Sequence, residues 1–380
     1  MKALVRFLKG FLALILALIA LLYITDYEYI IKGVRVVYMT GHTTAFIDDH
    51  VYFENETIAK SEAPWEWPKH KGYNTVEATE TLKQTNEALG TVAFAIIKND
   101  SLWYENYAEG YGPSSQTNSF SMAKSITTAL LGKAIKDGYI KSLDQPIGDF
   151  FDKYKDDKTT VGDLSSMASG LDWEESYKSP FSVTARAYYD DDLAETILAQ
   201  EVVDTPGAGF RYLSGNTQLL GMIIQEATGK SLSEYLEESF WQPLGMQEDA
   251  LWQIDDKENR LAKSYCCIAS NALDFARFGR LFKNDGKWNG QQILDSAFVA
   301  KATVARFQGE PYGYGFWISD HMDKHIFVMR GILGQYVITI PEDDLIIVRL
   351  GHQLGSRQAG DDFTSDFYKY VEEAYAMISN

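Results

Sequence analysis

The sequence predicts an α/β (α+β) fold: one antiparallel sheet, assembled from the two ends of the chain and flanked by helices, with an inserted, mostly helical lobe. Three observations predict it. A strand–turn–strand pattern stands at residues 91–107, helical spacing dominates about two hundred residues after it, and strand-like runs return near the C-terminus.

The first element is apolar. Lys2, Arg6 and Lys9 precede an uncharged run from Gly10 to Thr25, and Asp26 and Glu28 follow it. That charge asymmetry marks an export signal, and Ala17 and Ala20 are one residue too far apart for an Ala-x-Ala cleavage site. Residues 1–25 are therefore expected to be an uncleaved signal anchor in the inner (cytoplasmic) membrane, with the rest of the chain extracytoplasmic or periplasmic. Residues 26–74, with aromatic clusters such as Pro64-Trp65-Glu66-Trp67-Pro68, show little periodicity and are expected to be an irregular lead-in.

Residues 75–380 are expected to form one folded domain. Thr75 to Leu89 suits a helix, and the runs 91–97 and 102–107 flank Asn99-Asp100, a hairpin turn signal. Ile126, Leu130 and Ala134 repeat every four residues, and Leu219, Ile223 and Ile224 share a helix face that ends at Gly229. Strands are expected at 312–318, 325–329, 335–340 and 345–350, with Pro341 to Asp344 as a turn, and a closing helix over 362–378.

Composition narrows the function. With 46% hydrophobic and 23% charged residues the chain is an ordinary globular protein, and a formal charge of -18 would repel nucleic acid. The six histidines form no His-Glu-x-x-His, and the adjacent Cys266 and Cys267 have no zinc-site spacing, so no metal or other cofactor is expected. A bridge between neighbouring cysteines is strained, so the two are expected to be free and buried. No Gly-x-Ser-x-Gly elbow occurs, and Ala227 to Ser231 imitates only the end of a phosphate-binding loop.

Ser121-Met122-Ala123-Lys124 is the one Ser-x-x-Lys in the chain. On a helix the i and i+3 side chains share a face, so the amine can reach the hydroxyl, and a desolvated Lys can activate a weakly nucleophilic alcohol. Tyr212, in Tyr212-Leu213-Ser214-Gly215-Asn216, opens a loop that runs into an apolar helix. A phenol beside Lys124 could share the proton work.

These motifs, with Met167 to Leu171, Pro243 to Met246, Asp274 to Gly279 and Tyr336 to Glu342, resemble the class C β-lactamase superfamily of serine hydrolases over about residues 75–380. The resemblance implies a β-lactamase/transpeptidase-like fold, Ser121 as nucleophile, Lys124 and Tyr212 as proton-transfer groups, and an oxyanion hole of the Ser121 and Ile332 N–H groups. The family's Lys-Thr-Gly-Ala run falls here on Met329-Arg330-Gly331-Ile332, which keeps only the glycine and loses the cation that would hold a β-lactam carboxylate. Gly331-Ile332-Leu333-Gly334-Gln335 and the Tyr-x-Ser-x-Asn loop resemble instead the branch of 6-aminohexanoate-dimer hydrolases and related esterases. That branch implies a small-molecule ester or linear amide substrate, with Tyr177 near its amide; Ser214, in the position of the superfamily's second-motif Asn, is expected to hydrogen-bond Lys124, Gly331 to let the strand approach the substrate closely, and the Arg330 fork to bind a substrate carboxylate. The alternatives are a β-lactamase or D-Ala-D-Ala carboxypeptidase, and a non-catalytic membrane-anchored binding or sensor domain.

Overall fold

A computed structural model describes residues 1–379. It opens with helix α1 (Lys2–Ile24), 23 residues, none of them buried, that include an 18-residue stretch with a mean hydropathy of 2.5. By length and composition it can cross a bilayer. The following residues are more regular than their sequence suggests. Helix α2 (Tyr29–Val36) and strand β1 (Asn55–Ile58) both form there, because each is completed by partners far along the chain.

After helix α3 (Glu80–Ala88), capped by the Thr79 hydroxyl, come β2 (Thr91–Lys98) and β3 (Ser101–Tyr107). Asn99 and Asp100 both take positive φ (51° and 53°), the backbone that a two-residue hairpin turn requires. Strand β4 (Thr117–Asn118) then leads into α4 (Met122–Lys136). Every residue of α4 from Met122 to Gly132 is buried, so this is the central helix of the protein.

The lobe contains α5 (Val161–Ser165), α6 (Val183–Tyr189), α7 (Leu193–Leu198), α8 (Ser214–Thr228) and α9 (Leu232–Leu236). Gly229, in the left-handed conformation at φ 66°, ends α8 as its sequence position suggests. The lobe is not helical throughout. Strands β5 (Ala250–Gln253) and β6 (Ile268–Ser270) join β1 and β4 in a second sheet of order β1-β5-β6-β4, which the sequence reading missed. Helix α10 (Ala272–Lys283), the hairpin β7 (Lys287–Trp288) and β8 (Gln291–Gln292), and α11 (Ser296–Ala302) return the chain to the main sheet.

That sheet closes with β9 (Trp317–Ser319), shorter than expected, then β10 (Ile326–Gly331), β11 (Gln335–Ile340) and β12 (Leu345–Gly351), before α12 (Ser365–Ser379). Its order is β3-β2-β12-β11-β10-β9, antiparallel throughout, so strands from the two ends of the domain meet at β2 and β12. Both faces are covered. Ala93, Ala95, Ile97, Val348 and Met329 point into the core shared with α4 and the lobe, whereas Phe94, Ile96, Ile347 and Val328 pack under α12. The period-two alternation of strands makes one sheet serve two cores. The end of β10 packs against α4, and the cleft opens there.

Candidate active site

Ser121 lies at the N-cap of α4, and Phe120 before it has φ 45°. A bulky residue in the left-handed region is strained and persists only where its surroundings fix it. Here they do: the Phe120 N–H donates to the Asn118 side chain at 2.8 Å, and the Ser119 N–H donates to the Ile268 carbonyl on β6 at 2.8 Å. The second sheet thus sets the angle at which Ser121 is presented.

One turn along, the Lys124 amine donates to Ser121 Oγ at 3.0 Å and to the Tyr265 carbonyl at 2.9 Å. Lys124 is buried, and burial pushes its pKa down to about 8, with the nearby Glu175 carboxylate opposing. Tyr212 places its ring centroid 5.0 Å from the same amine. Burial and then Glu175 push the Tyr212 phenol up, while contact with Ser121 pulls it back. At neutral pH the phenol keeps its proton.

The turn after β10 faces this cluster. A Cβ on Gly331 would lie 2.4 Å from the Ser119 carbonyl, so the bare glycine lets β10 touch the backbone of the serine turn. Ser121 and Ile332 both line one cavity of about 390 Å³. Leu333, at φ 62°, bends the turn. The buried Arg349 holds it by donating to the Leu333 and Gly334 carbonyls at 2.7 and 2.9 Å.

The Beta-lactamase family model matches residues 76–368. The chain belongs to the Beta-lactamase family. It is a serine hydrolase of that family. The 6-aminohexanoate-dimer hydrolase of Paenarthrobacter ureafaciens is 24% identical over 295 residues, covering 71% of this chain and 74% of that protein. Among solved structures, a Bacillus anthracis protein named for the same hydrolase matches with a TM-score of 0.72 at 23% identity, covering 86% of this chain and 90% of that one. An octameric penicillin-binding protein homologue from Pyrococcus abyssi matches at 0.61 and 21%, covering 78% and 75%.

Within this family hydrolase several residues sit differently from expectation. Ser214 does not bond Lys124: its N–H and hydroxyl both donate to Glu175, at 2.6 and 2.7 Å. Glu175 also accepts from Trp173 Nε1 at 2.9 Å and from the Tyr177 hydroxyl, so it is the hub beneath the cleft. Sequence reasoning passed over it in favour of Tyr177. Tyr177 itself is on the rim, 56% exposed, and lines the cavity. Arg330 lies outside the cavity lining: it donates to the Asp362 carbonyl at 2.9 Å and stacks on Trp317 and Phe363. Met329, expected from the sequence at the position of the family's Lys, is buried in the core.

Cys266 and Cys267 are joined to each other, not free, with a Cα–Cα distance of 3.7 Å, and Cys266 lines the cavity. Cys267 takes φ 75° at this bridge between sequence neighbours. Tyr265, just before them, was also missed: it lines the cavity, and its buried hydroxyl has no protein partner. Among the described residues no group of His, Cys, Asp or Glu could hold a metal ion.

Proposed function

We propose that the protein cleaves a carboxylic ester or linear amide by acyl transfer through Ser121, with Lys124 as base and Tyr212 as acid. The observation that carries this is the Lys124 amine, 3.0 Å from Ser121 Oγ, buried, and bonded only to a hydroxyl and a carbonyl. A desolvated amine without a hydrogen-bonded carboxylate is cheap to neutralise, which is what a base at neutral pH requires. As Ser121 Oγ bonds to the substrate carbonyl carbon, its proton passes to Lys124. The oxyanion forms against the Ser121 and Ile332 N–H groups. Collapse breaks the bond to the leaving oxygen or nitrogen, which takes a proton from Tyr212, itself reprotonated from Lys124. Water then attacks the acyl-enzyme by the same path in reverse. Tyr177 and Tyr265 flank the bound substrate, and Gly331 sets the distance between β10 and the serine turn.

The apolar α1 supports an uncleaved anchor with the catalytic part outside the cytoplasm. A lactamase reading is disfavoured by Met329, because a β-lactam carboxylate loses a charge-assisted hydrogen bond of about 1.5–3 kcal/mol, tenfold or more in binding. Nitrocefin and a series of p-nitrophenyl esters, assayed on one preparation, test this. Esters are expected to be the better substrates in kcat/KM; nitrocefin turning over faster than every ester would overturn the assignment.

A further inference from the structure

The wall of the cavity opposite Ser121 comes from outside the family-matched region. Ile30, Val34, Val37 and Tyr38, on and just after α2, line it. At about 390 Å³ the cavity exceeds what a short acyl group fills. Two of its lining side chains stand partly in solvent, Val34 at 43% and Tyr38 at 66%, and next in sequence to lining residues Phe181 is 63% exposed and Met39 78%. Apolar groups gathered at one mouth mark a contact with something apolar.

The position of that mouth identifies the contact. α1 ends at Ile24 and α2 begins at Tyr29, so the wall follows the apolar helix almost directly. The junction is fastened to the cavity rim. Asp26 pairs with Arg186 of α6 at 2.8 Å, the Tyr27 and Phe181 rings meet at 5.5 Å, and the Tyr29 hydroxyl donates to the Pro180 carbonyl at 2.9 Å. Lys32 of α2 pairs with Asp191 at 2.6 Å. With α1 in a bilayer, these ties hold the mouth at the membrane surface, where its exposed apolar rim is covered by lipid.

We propose that the substrate is a membrane amphiphile, a carboxylic ester whose long apolar acyl chain occupies the cavity between α2 and Ser121 and enters it from the bilayer. This rests on the acyl-transfer reading above and on α1 remaining attached. Ser121 Oγ bonds to the acyl carbon, the ester C–O bond breaks, the alcohol leaves with the proton from Tyr212, and water releases the fatty acid.

The full-length protein in phosphatidylcholine vesicles, given p-nitrophenyl acetate, octanoate and dodecanoate, tests it, with fluorophosphonate labelling of Ser121 as a separate readout. The expected result is labelling together with a kcat/KM that rises at least about tenfold from acetate to dodecanoate, since each buried CH₂ favours binding. The double variant Val34→Asp/Tyr38→Asp, at two exposed positions, is expected to lose that rise and still be labelled. Labelling with a flat or falling series would overturn the amphiphile substrate and leave the hydrolase reading standing. A rise that survives in the double variant would overturn the α2 wall as the chain's site. Absence of both labelling and ester turnover would overturn the acyl-transfer reading itself.

Discussion

On the Ser121 side of the cavity, α4 is buried from Met122 to Gly132, and Lys124, Thr127 and Gln218 tie the 262–265 segment between α4 and α8. On the facing side, α2 leaves Val34 and Arg35 in solvent and meets α6 where Tyr189 packs on Gly33. The buried side can perturb a proton affinity, because desolvation acts only where water is excluded. On the facing side burial reaches Tyr29, whose phenol it pushes up to about 12, but not Val34 or Arg35, and in the proposed reading that side selects what enters. Chemistry and selection are thus assigned to different segments of the chain.

The largest expected effect tests the buried side. Ser121→Ala should lower turnover by on the order of 10⁴-fold or more and abolish the acyl-enzyme seen by mass spectrometry with a slow ester. Wild-type turnover in that variant would place the nucleophile elsewhere. Lys124→Ala and Tyr212→Phe should each cost about 10²–10⁴ in kcat with the fold retained by circular dichroism. If Tyr212→Phe were silent, the leaving group would be taking its proton from another donor.

Glu175→Gln sharpens the comparison through pH. Glu175 raises the Lys124 pKa, which stands at about 8, so removing its charge should lower that pKa. The neutral amine is the active form, so activity rises with pH through the folded pKa. In the variant the ascending limb of kcat/KM should move to lower pH. For stability the sign in pH is the same: a Lys held below its ordinary 10.5 costs nothing above that value and costs most below about 8. The variant should therefore be least stable, relative to wild type, at low pH. An unmoved limb would mean that another group sets the profile. The smallest effect is expected from Tyr265→Phe. It should raise KM about three- to tenfold with kcat little changed, the loss of one hydrogen bond to substrate. A loss confined to kcat would instead place that hydroxyl at the reacting atoms.

What the sequence made legible follows the range of the interactions. The Ser121 to Lys124 spacing is local, one turn of helix, and the Asn99-Asp100 hairpin is decided by two residues. Both are found where expected. The main sheet was legible because alternation persists along β2 and β10 to β12. The second sheet was not, since β4 and β6 are two and three residues long and carry no period. Glu175 reaches Ser214 across 39 residues of sequence, which no local pattern records. The expected Ser214 to Lys124 bond failed for the same reason: the competing acceptor is remote. Arg330 stacks on the aromatic pair Trp317 and Phe363, and its charge lowers the pKa of the Tyr212 phenol against the burial that raises it, a placement set by aromatic partners that no local pattern records.

Strand β1 pairs with β5 over Asn55 to Ile58, and α2 supplies one wall of the cavity. A shortened gene starting at residue 76, where the family match begins, would therefore encode a protein with an uncovered sheet edge and a half-open cleft. Such a product should aggregate through the bared edge of β5 and accept substrates indiscriminately. For soluble expression the cut belongs between Ile24 and Tyr29, which removes the apolar helix and leaves both pieces in place.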